Sequence, residues 1–463
     1  MATLFAQDTV YTFAEAREAM AACIRQLPAQ VSSMDTDLKI LRCELSIEPI
    51  SILYWLHNQK TDTKIYWSGR DRAFEAGGIG VADRIKGEGP IDHKTVFAYM
   101  EKRLSADNPR LRYYGGLSFD TLCQDSEWNK FGTYQFIIPR FEIIRSEMQT
   151  TFAFNIDADE INSATIDHAL AQLNSIDLSP ATTYRKPPRV TARADFPDRK
   201  QWDRLFDEIR QGIGNRQHEK VVLARRSIFD FDVAIRSCAL MKHLKDVTPN
   251  CFHFCFQPSA DTAFLGATPE RLYKRSEQNI ASEAIAGTRP RGNTVADDRE
   301  LEEELLNSAK DAHEHKYVVD TIRAQFELFC RRVKADKAFT LRKLKGSQHL
   351  RTSFEGELNE DTLDHEILKT LHPTPAVGGT PTETAMKVIR EKEPFGRGWY
   401  AGPVGYVGYD KAEFVVAIRS GLINGDQLSL YAGAGIVDGS TSENEWNEIE
   451  NKISNFIKVF NTK

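Results

Sequence analysis

Seven cysteines in 463 residues, Cys23, Cys43, Cys123, Cys238, Cys251, Cys255 and Cys330, are an odd and scattered set, which excludes a disulfide framework and points to reduced thiols. No stretch approaches the ~18 apolar residues of a spanning helix, and the opening MATLFAQDTVYTFAEAREAM lacks a basic region followed by an apolar run and a cleavage site. A cytoplasmic protein without a membrane partner is therefore expected. Basic excess is missing too: the net charge is -6 and both signs are interspersed, so no nucleic-acid partner is announced and a small soluble ligand is the default. The chain has neither GxGxxG nor GxxxxGK[ST], which removes the usual reasons to invoke NAD or ATP. Internal repeats and low-complexity tracts are also absent.

What the chain does have is 41% apolar residues, enough to bury a large core over two or three domain lengths. In the first part, ISILYWLHNQ, TKIYWSG and YGGLSFDT alternate like strands, while HKTVFAYMEKRL and IDHALAQLNSI have helical spacing. A stretch with Pro180, Pro187, Pro188 and Pro197 reads as a linker or long surface connection, dividing a variable part, 1–190, from a chemically dense part, 191–463. There QWDRLFDEIRQGI predicts a helix, KVVLARRSIFDF a strand, and FLGATPERLYKR a strand broken by a turn. The segment from Asp297 to Phe329 predicts one long helix, and NEWNEIENKISNFIKVF a closing one.

Three clusters carry possible chemistry. Cys251, His253 and Cys255 alternate with phenylalanines along CFHFCFQ and share one strand face, but a structural zinc site needs a fourth ligand and no second Cys/His pair follows, so a buried strand is the better reading. His313 and Glu314 resemble half of HExxH, yet Tyr317 stands at the second histidine position, which argues against a zinc hydrolase. In the closing helix Glu445, Glu448 and Lys452 fall on one stripe opposite Trp446, Ile449, Ile453 and Phe456. Two carboxylates on a stripe suit a hard cation such as Mg²⁺, or else a solvated charged face. The preceding AGAGIV offers backbone N–H groups without side-chain bulk, suited to a carboxylate or phosphate.

Taken in order, KVVLARR, GATPERL, AIAGTRPRG, KDAHEH, LHPTPAVGGTP, YAGPVG, AIRS, YAGAGIV and EWNEIENK closely resemble the chorismate-binding enzyme superfamily of isochorismate, salicylate, anthranilate and aminodeoxychorismate synthases, over roughly residues 200–460. The resemblance implies an α/β (α+β) fold of large, mostly antiparallel sheets with outer helices and a deep central cleft, both parts of the chain woven into one body. KDAHEH and PTPAVGGTP depart from the corresponding anthranilate synthase signatures, and the small Ala376 in place of a threonine resembles the isochorismate synthases, which use water as nucleophile. WYAGPVGYVG looks more like the menaquinone branch than the siderophore branch; a salicylate synthase is the rival, and a silent chorismate-binding relative the next.

Carried over residue by residue, the resemblance implies that Lys220 is the general base taking a proton from the attacking water and Glu270 the general acid protonating the departing hydroxyl. A lysine base requires a depressed pKa, through desolvation or a nearby cation. Glu314 and Glu448, with Glu445 nearby, match Mg²⁺ ligands that hold the ring carboxylate, by which Gly287 and Thr288 also lie. Arg419, Tyr400, Lys452 and the backbone of Gly433 match the groups on the enolpyruvyl carboxylate; His349 matches a site histidine without an assigned role. The substrate implied is chorismate, the cofactor Mg²⁺, and no obligate protein partner is expected.

Overall fold

Val221–Ala224 is a continuous apolar run and burial then alternates from Arg226 to Phe231, so Lys220–Phe231 forms a strand buried on both faces at its start and on one face toward its end. The same logic builds most of the molecule, whose computed structural model describes residues 3–4, 9–31, 38–122, 125–146, 149–179, 188–343 and 347–460. Cys123, Pro180 and Pro187 lie outside them. Two sheets, one of 13 and one of 10 strands among the described residues, carry the chain, and apart from the pairing of Thr3–Leu4 with Ile40–Ile47 their ladders are antiparallel.

Each sheet runs from one half of the chain into the other. In the first, Lys64–Ser68 pairs with Phe252–Ser259, placing Ile65 opposite Phe256 and Trp67 opposite Phe254. In the second, Arg112–Leu117 pairs with Pro403–Gly408, placing Tyr114 opposite Tyr406. Helices pack outside, and one hydrophobic core takes residues from both halves, among them Trp67, Trp128, Trp202 and Trp399. No described helix is long and apolar enough to cross a membrane.

Three local expectations are corrected. ILYWLHN is a helix, Ile52–Asn58, not a strand: Ile52, Leu53, Trp55 and Leu56 are buried together at helical spacing. The long helix is two, Val295–Asn307 and Ala309–Phe329, because the Ser308 hydroxyl accepts the Asp311 N–H at 3.2 Å and starts a new helix. The connection after residue 188 is no free linker, since Val190–Phe196 is an edge strand paired with the end of Lys220–Phe231. Phe252–Ser259 is a buried strand; the His253 ring contacts the Thr248 hydroxyl at 2.9 Å, and the six described cysteines are free and buried.

Candidate active site

The chain changes sheets twice at one place. Thr268 ends a strand of the first sheet and Arg271 begins one of the second, so Pro269 and Glu270 form the span between them. Val416 ends a strand of the second and Ser420 begins one of the first, which makes Ala417–Arg419 the return span. The spans are bonded side by side: the Val416 N–H donates to the Glu270 carbonyl at 3.2 Å and the Ala267 N–H to the Arg419 carbonyl at 3.1 Å. The Thr268 hydroxyl donates to the Val416 carbonyl at 2.8 Å. Arg419 sits at φ +51°, a left-handed conformation that the two ladders hold in place. An acidic and a cationic side chain are thus fixed together by topology rather than by a flexible loop.

Lys220 begins its strand beside them, and the turn bearing Ala376 is laid along it. The Val222 N–H donates to the Gly378 carbonyl at 2.9 Å and the Glu219 N–H to the Thr380 carbonyl at 2.8 Å. The approach requires glycine at position 379, where φ is +141° and a Cβ would stand 2.2 Å from the Lys220 carbonyl oxygen. Behind this turn Arg397, 3% exposed, donates to the Val377 and Val222 carbonyls at 2.8 Å each and pairs with Glu393 at 2.5 Å, while Glu393 accepts the Ala224 N–H at 2.8 Å. Removing one partner strands a buried charge, so Arg397→Leu is expected to cost about 3–5 kcal/mol of stability, measured by denaturant unfolding.

Glu270 is 9% exposed. Burial pushes its carboxyl up to about 7, the Glu283 charge adds to this, and Lys220, Lys452 and the Thr374 hydroxyl oppose it. At neutral pH the group is therefore poised to give or take a proton. The sign for stability follows: the folded-state pKa lies above the ordinary 4.5, so the stability Glu270 allows is fully present below pH 4.5 and is lost as pH rises through about 7. Glu270→Gln, which cannot ionise, is expected to stabilise the protein at pH 8 by on the order of 3 kcal/mol and not at pH 4.5. Thermal melts at the two pH values measure it.

Near these groups lies a cluster of polar side chains. The Tyr400 ring is buried and stacked on Tyr431, centroids 5.3 Å apart, and burial holds its hydroxyl protonated well above the ordinary range. A Cβ at Gly433 would sit 3.2 Å from that hydroxyl and 3.0 Å from Val222 Cγ1. The Lys452 ammonium donates to the Gly433 carbonyl at 2.8 Å and pairs with Glu448 at 2.6 Å. His349 is buried, and burial, then the charges of Arg419, Lys452 and Arg342, depress its pKa far enough to keep the ring neutral; the Gly287 backbone bonds to it. Gly287, at φ +72°, and Thr288 lie opposite His349 at the strand pairing of Asn279–Pro290 with Ser347–Leu358.

The structure therefore brings Lys220, Glu270, Gly287, His349, Tyr400, Arg419, Gly433, Glu448 and Lys452 into one neighbourhood, with the Ala376 turn laid along the Lys220 strand. The side chains of Thr288 and Glu314 lie outside the described residues; their backbones belong to Asn279–Pro290 and Ala309–Phe329. Glu445 is buried one turn before Glu448 on Ser442–Phe460. These two carboxylates are hard oxygen donors of the kind Mg²⁺ takes, which fits the ion, although among the described residues no three acidic, histidine or cysteine side chains form a closed cage. A separate cavity of about 1120 Å³, lined by His57, Lys64, Arg236 and Gln257, carries none of these groups.

Several participants are invisible to motif reading. Glu283, Arg342 and Arg351 act on or beside the cleft only through strand pairing, and Arg70 comes from the other half of the chain. Arg397 had a signal, standing three residues before Tyr400 in GRGWYAG, though nothing in that spacing announces its bonds to two distant carbonyls.

Two large sheets joined by paired crossovers that bring Glu270 and Arg419 beside Lys220 are the setting of this site, and the chain belongs to the chorismate-binding enzymes: residues 25–461 match the family described as "Chorismate binding enzyme". Within it, the chain is 32% identical to the chloroplastic isochorismate synthase of Catharanthus roseus, over 97% of this chain and 85% of the relative. It is also 32% identical to isochorismate synthase MenF of Bacillus subtilis, over 89% and 91%. Among solved structures it superposes on MenF, the menaquinone-specific isochorismate synthase from Escherichia coli, with a TM-score of 0.83 and 27% identity, covering 95% of this chain and 99% of that one. The expected fold is what is found: mixed α/β, with large antiparallel sheets and helices outside.

Proposed function

We propose that the protein is an isochorismate synthase, converting chorismate reversibly to isochorismate. The observation that carries this reading is the meeting of Glu270, a buried carboxyl held near neutrality, with Lys220 and Lys452 at one place. Water adds at ring carbon 2 as the hydroxyl at carbon 4 departs; Lys220, acting as the uncharged amine, takes the proton from the water and Glu270, acting as the neutral acid, gives one to the leaving hydroxyl, so no net water or charge is consumed. In the return direction Glu270 is the base and Lys220 the acid. Arg419 and the Tyr400 hydroxyl hold the enolpyruvyl carboxylate against the Gly433 backbone, and Gly287 and Thr288 flank the ring carboxylate.

Glu314, Glu445 and Glu448 are the residues that would hold Mg²⁺, whose charge at the ring carboxylate favours the electron shift through the conjugated ring. The small Ala376, on the turn beside Lys220, supports water as the nucleophile, because the resemblance links alanine there to the synthases that use water. Six buried cysteines without disulfides support a cytoplasmic setting, and the similarity to the menaquinone-specific enzyme supports that pathway over a siderophore one. Reaction in ¹⁸O-labelled water should place label on carbon 2 of isochorismate. Unlabelled product would contradict attack by solvent water, and stoichiometric pyruvate with salicylate would move the protein to the salicylate synthases.

A further inference from the structure

The strand Lys64–Ser68 lies at the seam where the first sheet passes between the two halves of the chain, and Arg70 follows directly after it. Its guanidinium reaches the catalytic crossing. One N–H donates to the carbonyl of Pro269, the residue before Glu270, at 3.2 Å. Both arms engage the buried Glu283 carboxylate, Nη1 on Oε1 and Nη2 on Oε2, the latter at 3.2 Å. The guanidinium also lies over the Phe252 ring, 5.1 Å from its centroid. Contacts to a backbone carbonyl, a carboxylate and an aromatic face leave this planar group little freedom.

We propose that Arg70 is a positioning residue for the general acid, clamping the Pro269 carbonyl and the Glu283 carboxylate so that Glu270 is held at the cleft. The proposal rests on the role of Glu270 given above and assigns the N-terminal half of the chain a part in catalysis. The Pro269 carbonyl belongs to the peptide plane leading into Glu270, so fixing it fixes where that side chain starts. Glu283 is the charged neighbour acting on Glu270.

Glu270 is faced by Glu283 from Asn279–Pro290, Lys220 from the first sheet, Lys452 from the closing helix, Thr374 from the Ala376 turn and Arg419 on the return span. Glu283 is faced by Arg70, Arg271, Arg342 and Arg351, and Arg351 Nε donates to it at 2.8 Å. Burial would raise Glu283, but the Arg70 hydrogen bond and charge, then Arg342 and Arg271, hold it below the ordinary carboxylate range and keep it ionised. Loss of Arg70 leaves more of that negative charge acting on Glu270. Neutralising Glu283 removes it, so the two changes should move Glu270 in opposite directions.

The test compares wild type with Arg70→Gln, Arg70→Lys, Glu283→Gln and Glu270→Gln, reading kcat and KM for chorismate, the pH profile of kcat/KM and the thermal melt. Arg70→Gln is expected to lower kcat about 10- to 100-fold with KM changed less than about threefold. The ionisation near 7 should rise in Arg70→Gln, fall in Glu283→Gln, and stay near its place in Arg70→Lys, which keeps the charge and recovers part of kcat. A kcat loss with an unmoved profile, or no kcat loss, overturns the clamp. If Arg70→Gln fails to fold, Arg70→Lys and Glu283→Gln carry the same test. Undiminished turnover in Glu270→Gln would instead overturn the acid assignment itself.

Discussion

Lys220→Ala and Glu270→Gln are each expected to lower kcat by about 10²- to 10⁴-fold, the contribution of a positioned general base or acid. Their spacing is set by two independent ladders: Lys220 by the strand that pairs with Gln427–Ile436 and Gly379–Thr380, Glu270 by the crossover bonded to Val416. Either substitution therefore removes a proton-transfer group without moving its partner. The double variant should be little worse than either single one, because a base without its acid and an acid without its base fail at the same step. Steady-state kinetics on folded variants check this, and a single variant with wild-type turnover would remove that residue from the assignment.

Chelation is expected to have the other large effect. Activity should vanish in EDTA and return with added Mg²⁺, and Glu448→Gln should raise the Mg²⁺ concentration needed for half-maximal rate by on the order of 100-fold. Glu448 shares its carboxylate with Lys452 at 2.6 Å, and Lys452 also bonds the Gly433 carbonyl at 2.8 Å. An ion held by Glu448 would thereby be coupled to the Gly433 backbone through one lysine, so Glu448→Gln should also raise KM for chorismate. Isothermal titration with Mg²⁺ separates weakened ion binding from loss of fold. Full turnover in EDTA would contradict the metal assignment.

Much of this site was legible in the sequence because its residues lie in short local motifs. KVVLARR is a strand whose first residue is Lys220, GATPERL spans the crossover holding Glu270, and AIRS the one holding Arg419. Local patterns also placed the closing helix and its Glu445, Glu448 and Lys452 stripe. They did not place ILYWLHN, where the apolar run satisfies both a strand and a short helix and tertiary burial of Trp55 and Leu56 decides for the helix. Nor did they show the break at Ser308, because a serine inside an otherwise helical pattern announces a cap only once Asp311 is seen bonded to it. Least legible were contacts made by pairing across the chain. Arg70 meets Glu283 only because residue 65 is registered against residue 256, and no periodicity within either segment encodes that partnership.

Incubation of the purified protein with chorismate, with Mg²⁺ or with EDTA, followed by chromatographic separation of products and a pyruvate assay, tests the central claim most directly. Isochorismate formed with Mg²⁺ alone, approaching the same equilibrium mixture from either side and without pyruvate, is the predicted result. Chorismate recovered unchanged in the presence of Mg²⁺ would contradict it.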